Sequence, residues 1–137
     1  YGNARFSASE LQELIRQLDD GSDTFRMTGG VHSAALADNE RILIKYEDIG
    51  RHNALDRVLG HTIINGIATE DKAVLLSGRI SSEMLIKAAR IGTPVIVSRS
   101  APTGLAIDLA EELNITTVGF VRGNSMNVYS HPERIVR

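Results

Sequence analysis

The sequence predicts an α/β protein, a three-layer α/β/α sandwich with a mixed sheet of about five strands. Three observations carry that prediction. From His52 onward, helical and strand patterns alternate three times. The strand runs in that stretch, such as Ala73 to Leu76 and Pro94 to Val97, are short and continuously apolar, as strands buried on both faces must be. Ahead of them, two strand-like runs joined by a short polar link supply an antiparallel pair, so the sheet is mixed.

The elements follow in order. Ser7-Ala8-Ser9-Glu10 fits the S-x-x-E capping box, and Leu11, Leu14, Ile15 and Leu18 then recur at helical spacing until Asp19-Asp20-Gly21 ends the pattern. Gly21 to Gly30 is polar and closes with Thr28-Gly29-Gly30, where paired glycines permit close approach of a ligand to the backbone. Val31 to Ala37 and Arg41 to Glu47 are the hairpin strands, linked by Asp38-Asn39-Glu40.

His52 to Asn65 places Leu55, Val58, Leu59, Thr62 and Ile63 on one helical stripe, with Gly66 at its stop. Ser81 caps the next helix, which ends in Lys87, Arg90, Gly92 and Pro94. Pro102 opens a segment whose Leu105, Leu109 and Leu113 share a face, with Asn114 at the end. Thr116 to Val121 is the last clear strand. No internal repeat or low-complexity linker interrupts the chain, so residues 1–137 read as one domain.

Composition narrows the function classes. A chain of 137 residues with 42% hydrophobic content can bury a core. Its net charge of -2 and pI near 6.1 leave no global basic field for a polyanion, which argues against nucleic acid and for a small ligand held by local charge. With no cysteine, disulfides, thiolate metal sites and thiol nucleophiles are excluded within these residues. No apolar run approaches the roughly 18 residues of a membrane span. The start at Tyr1 is neither an initiator methionine nor a signal peptide, and the expected setting is a piece of a soluble cytoplasmic protein.

Four predicted strands each run into a polar loop that carries an arginine: Arg51, Arg79, Arg99 and Arg122. If those strands are parallel, the four loops share the edge where open α/β sheets bind ligands, and guanidinium forks suit phosphate oxygens. Glu47-Asp48-Ile49-Gly50-Arg51-His52-Asn53 is the densest polar cluster and sits where a strand hands over to a helix, so backbone N–H groups and Arg51 can receive an anion there. The plainer reading is that Asp48 or Asn53 caps the helix and Arg51 neutralises Glu47. His52 at that helix start, and His32 after the paired glycines, are either hydrogen-bonding ligand contacts or ordinary turn histidines; His61 and His131 read as surface residues.

Ser77-Gly78-Arg79-Ile80-Ser81-Ser82 has the placement of a phosphate-cradling turn without the spacing or lysine of a Walker loop, and equally suits a plain serine-capped turn. Ser98 to Thr103 is open to the same two readings. Phe120-Val121-Arg122-Gly123-Asn124-Ser125 adds an aromatic ring beside an arginine, suited to a flat base or pterin; its alternative is a hairpin turn into Met126 to Tyr129. A zinc deaminase would need H-x-E and P-C-x-x-C, and a serine hydrolase a G-x-S-x-G elbow. The chain has neither.

Phe25 to Ala34, Glu47 to Asp56, Ser77-Gly78-Arg79 and Ser98 to Leu105 closely resemble the formate dehydrogenase accessory sulfurtransferases, the FdhD family, over essentially the whole chain. The match corresponds to that family's carboxyl-terminal half, and the resemblance implies a cytidine-deaminase-like fold. It also implies sulfuration of a molybdenum or tungsten bis-pterin guanine dinucleotide cofactor for formate dehydrogenase, with GDP as a partial mimic of the cofactor and no zinc. In the family a cysteine desulfurase loads sulfur as a persulfide on a C-x-x-C loop, expected upstream of Tyr1, so this chain departs from the pattern at its most important residue and should be inactive alone.

Carried across, the family's cofactor site falls on Phe120, Val121, Arg122, Gly123, Asn124 and Ser125. Strand-end geometry adds Arg51, His52, Asn53, Ser77, Gly78, Arg79, Thr28, Gly29, Gly30 and His32 to the expected contacts. The implied partners are the desulfurase, formate dehydrogenase and a second copy of the chain. Two alternatives stand beside this reading, a non-catalytic nucleotide-binding module and a partner-docking domain.

Overall fold

A computed structural model of the chain describes residues 4–20, 32–122 and 125–136. The central sheet has six strands in the order β3-β2-β4-β5-β6-β7. They are β2 (His32–Ala37), β3 (Ile42–Asp48), β4 (Ala73–Leu76), β5 (Val95–Ser98), β6 (Thr116–Arg122) and β7 (Ser125–Ser130). Among the described residues the α-helices are α1 (Ala8–Asp20), α2 (Arg51–Asn65), α3 (Ser82–Ile91) and α4 (Gly104–Leu113). Two short strands, β1 (Phe6–Ser7) and β8 (Ile135–Val136), pair in parallel as a separate ribbon.

Strand periodicity divides the core into two layers. Ala34, Leu36, Val74, Leu76 and Ile96 point to one face and pack with Leu55 and Val58 of α2, Met84 and Leu85 of α3, and Ala106 and Ala110 of α4. Ala35, Ala37, Leu75, Val95 and Val97 point to the other and meet Phe6, Leu11, Leu14 and Leu18 from β1 and α1. The alanine-rich β2 therefore lets layers on both sides come close.

Local signals fix the element ends. The capping box forms in full: the Ser7 N–H donates to Glu10 Oε1 at 2.8 Å and the Glu10 N–H to Ser7 Oγ at 3.1 Å. Ser81 and Thr103 accept the Met84 and Ala106 N–H groups at 3.2 and 3.1 Å as caps of α3 and α4. Gly66, Gly92 and Asn114 end α2, α3 and α4 in the left-handed region.

Among the described residues the mixed sheet has six strands, in keeping with the expected size, and Ser125–Ser130 pairs antiparallel with β6 as its edge strand. The structure corrects other expectations. Ile63, expected on the buried stripe of α2, is 70% exposed, while its neighbour Thr62 is buried, so the core-facing stripe passes through Thr62 and not Ile63. On α4 the leucine face is not the core face. The helix lies so close to the sheet that Ala106 and Ala110 fit beneath it, which leaves Leu105 and Leu113 exposed and Leu109 half-buried. His61 and His131 are half-buried and bonded, His61 Nδ1 to the Tyr46 hydroxyl at 2.9 Å and His131 Nε2 to the Glu111 carbonyl at 2.9 Å.

Candidate functional site

Pairing directions settle which strand ends meet. β2 is antiparallel to both β3 and β4, so β3 runs with β4, and β4, β5 and β6 are mutually parallel. The carboxyl ends of β3, β4, β5 and β6 thus lie on one edge of the sheet, across about 19 Å at the usual strand spacing. The loops or segments bearing Arg51, Arg79, Arg99 and Arg122 leave from that edge. Arg79 and Arg99 are exposed there; Arg51 heads α2 and Arg122 ends β6.

Because β2 runs the opposite way, its first residue rather than its last reaches this rim. His32 pairs with Asp48 of β3, and its imidazole lies against Gly78, where a Cβ would stand 3.3 Å from Nδ1. The Ser33 N–H donates to Ser77 Oγ at 2.8 Å and the Ser77 N–H to the Ser33 carbonyl at 3.1 Å. Ser77 is thereby a strut between β2 and the loop after β4, and Gly78 provides the room His32 needs.

At the β3 end, Asp48 Oδ1 accepts the Gly50 N–H at 3.0 Å, and Arg57 stands 3.5 Å from its other oxygen. The Gly50 hydrogen bond, helped by Arg57 and Asn53 against desolvation, holds the Asp48 carboxyl below the usual range. Asp48 thus shapes the turn into α2 without capping it, and the N-cap, Gly50, offers no side chain to the first-turn N–H groups. Asn53 is exposed with its amide near Gly50, and His52 is half-buried beside it. Glu47 pairs with Lys45 at 3.7 Å.

The loops after β4, β5 and β6 are joined by main-chain and hydroxyl bonds. Ser98 Oγ donates to the Gly78 carbonyl at 2.6 Å and accepts the Ser100 N–H at 2.9 Å. Ile80 and Pro102 form a parallel bridge, with the Thr103 N–H bonded to the Ile80 carbonyl at 2.9 Å. The Phe120 N–H donates to the Ser100 carbonyl at 3.2 Å. Phe120 has φ 53° and is 41% exposed, whereas Val121 is buried. The β6–β7 pairing is irregular between Gly119 and Arg122 and resumes with Arg122 opposite Ser125, so the described residues on either side of Gly123 and Asn124 pair antiparallel.

Of the expected contacts, His32, Ser77, Gly78, Arg79, His52, Asn53, Phe120, Val121 and Ser125 are placed on or beside the rim, with Val121 turned inward and Ser125 exposed at the hairpin. Arg51 and Arg122 are placed by their backbone. Thr28, Gly29, Gly30, Gly123 and Asn124 lie outside the described residues. Sequence reasoning missed Gly119, although a glycine within a strand pattern is a signal of close backbone approach. It also left Ser98 undecided, a buried hydroxyl that two loops share. An open groove lined by Ala8, Gln12, Met126, Val128, Pro132 and Ile135 runs along β7.

Comparison with known proteins places this arrangement in a family. A model of the FdhD/NarQ family matches residues 1–136. The sulfur carrier protein FdhD of Bacillus subtilis is 59% identical over 131 residues, 96% of this chain and 50% of that protein. The FdhD sulfur carrier protein of Listeria monocytogenes is 54% identical over 134 residues, 98% of this chain and 51% of that protein. A crystal structure of a protein assigned as a formate dehydrogenase accessory protein, from Desulfotalea psychrophila, superposes with a TM-score of 0.89 at 38% identity, covering 98% of this chain and 58% of that one. The chain spans about half the length of the curated relatives it matches. With the match running from Tyr1 to Val136 and the fold shared, the chain belongs to the FdhD/NarQ family.

Proposed function

We propose that this chain is the cofactor-binding part of a sulfur carrier protein that serves formate dehydrogenase, and that its cargo is a molybdenum or tungsten bis-pterin guanine dinucleotide. The supporting observation is the common edge of β3, β4, β5 and β6, which gathers the arginine-bearing loops into one mouth. The cargo fits what stands there. Its pyrophosphates need cations and N–H donors, which Arg79, Arg99 and the first turn of α2 offer. Its flat guanine needs a ring, which Phe120 presents half-exposed.

The cargo supplies the metal that takes up sulfur; the residues of this chain bind and orient it. Since the chain has no cysteine, the sulfur is carried by residues outside these 137, as a persulfide received from a cysteine desulfurase. Formate dehydrogenase and a second copy of the chain are the remaining proposed partners, and the cytoplasm is the proposed location. A partner-docking role is favoured by one observation, the exposed Ile63, Ile64 and Leu105 on the helical layer.

Titration of GDP into the purified chain tests the reading. Saturable binding that weakens at least about tenfold in Arg122→Ala or Arg79→Ala supports it, that being the effect of losing one charge-assisted contact. Absence of saturation, or binding indifferent to both changes, overturns it in favour of docking alone.

A further inference from the structure

Gly119 is the point where two loops press hardest on one another. A Cβ built there would stand 2.9 Å from the Ser100 carbonyl oxygen, 2.9 Å from Pro102 Cδ and 3.0 Å from the Tyr129 ring. The chain leaving β5 toward α4 passes directly over β6 at this residue, and the next residue donates its N–H to that same Ser100 carbonyl. Phe120 then takes φ 53°, a region that a bulky residue adopts only when its surroundings impose it.

The consequence is a change of parity. In a regular strand, residues two apart share a face, so Val118 would be followed on the core face by Phe120. Instead Val118 and Val121 both lie in the α1-side core, three residues apart, and Phe120 is 41% exposed. One left-handed residue turns the strand end over, keeps a valine inside and puts the aromatic ring outside.

Resting on the nucleotide reading above, we infer that Gly119 is a positioning residue for base recognition: by admitting the β5–α4 loop without a side chain in the way, it sets the parity that holds the Phe120 ring at the mouth as a stacking plate for guanine. Arg79, Arg99 and the α2 start, which hold phosphate, stand on other elements, and only Arg122 shares the affected strand, so the effect falls chiefly on the base.

The test measures the affinities of the full chain for GDP and for inorganic pyrophosphate in wild type, Gly119→Ala and Phe120→Gly. The expected result is a fall of about tenfold in the ratio of GDP to pyrophosphate affinity in both variants, the scale of one lost base stack. Phe120→Gly keeps the test open if Gly119→Ala does not fold, because glycine accepts positive φ without strain. A ratio unchanged in Phe120→Gly overturns the inference. So does a Gly119→Ala protein that folds and either keeps the wild-type ratio or loses both ligands equally. Wild type that binds neither ligand removes the nucleotide reading itself, a result distinct from wild type that binds GDP with a variant-independent ratio.

Discussion

The Ser98 hydroxyl donates to the Gly78 carbonyl at 2.6 Å, across two neighbouring parallel strands at the rim where they end. The same oxygen accepts the Ser100 N–H at 2.9 Å, so one buried atom ties the loop after β4 to the loop after β5. Neither loop can be shifted alone.

Ser98→Ala therefore strands a carbonyl and an amide at once. Gly78 and Ser100 are half-buried, so the expected cost is about 1 kcal/mol, the net worth of a lost hydrogen bond, read from the shift in urea unfolding midpoint at constant slope. A change within experimental scatter would mean that both groups find water.

Leu55 and Ile63 were expected on one stripe of α2, and the structure separates them, 0% against 70% exposed. Leu55→Ala should cost about 2–5 kcal/mol, while Ile63→Ala should stay within about 0.5 kcal/mol. Equal losses in thermal or chemical unfolding would show that the end of α2 is covered in solution.

That contrast shows what could be read from the chain and what could not. The capping box at Ser7 and Glu10, the Ser81 cap and the stops at Gly66, Gly92 and Asn114 are local chemistry, and each was legible from a few adjacent residues. The common edge of the arginine loops followed from alternation and right-handed crossover. Burial at Ile63 and Leu105 depends on where a helix lies over the sheet, which the helical period does not encode. Gly119 and Ser98 act through segments around twenty residues away, Ser100 and Gly78, and so left only a bare glycine and a serine in the sequence. The inward turn of Val121, one of the expected contacts, depends on the bend at Phe120, which no local pattern encodes.

The carboxyl of Glu10 lies below its ordinary value of 4.5, chiefly because the Ser7 N–H bonds to it, with Asn39 adding a second bond at 3.1 Å. A carboxyl whose pKa is depressed on folding adds stability above its unfolded value and loses it as pH falls through the folded one. Stability should decline on acidification through the carboxylate range. Glu10→Ala should be less stable near neutral pH and show a shallower decline, as measured by urea midpoints at stepped pH; parallel curves would reject the assignment.

The parallel bridge between Ile80 and Pro102, with the Thr103 amide bonded to the Ile80 carbonyl, and the separate bond from the Phe120 amide to the Ser100 carbonyl prolong the pairing beyond the named strands. Loops stitched in this way open on the schedule of the interior and not on that of a surface segment. The described part of this rim is thus set when the chain folds, and little ordering entropy would oppose a molecule that docked on it.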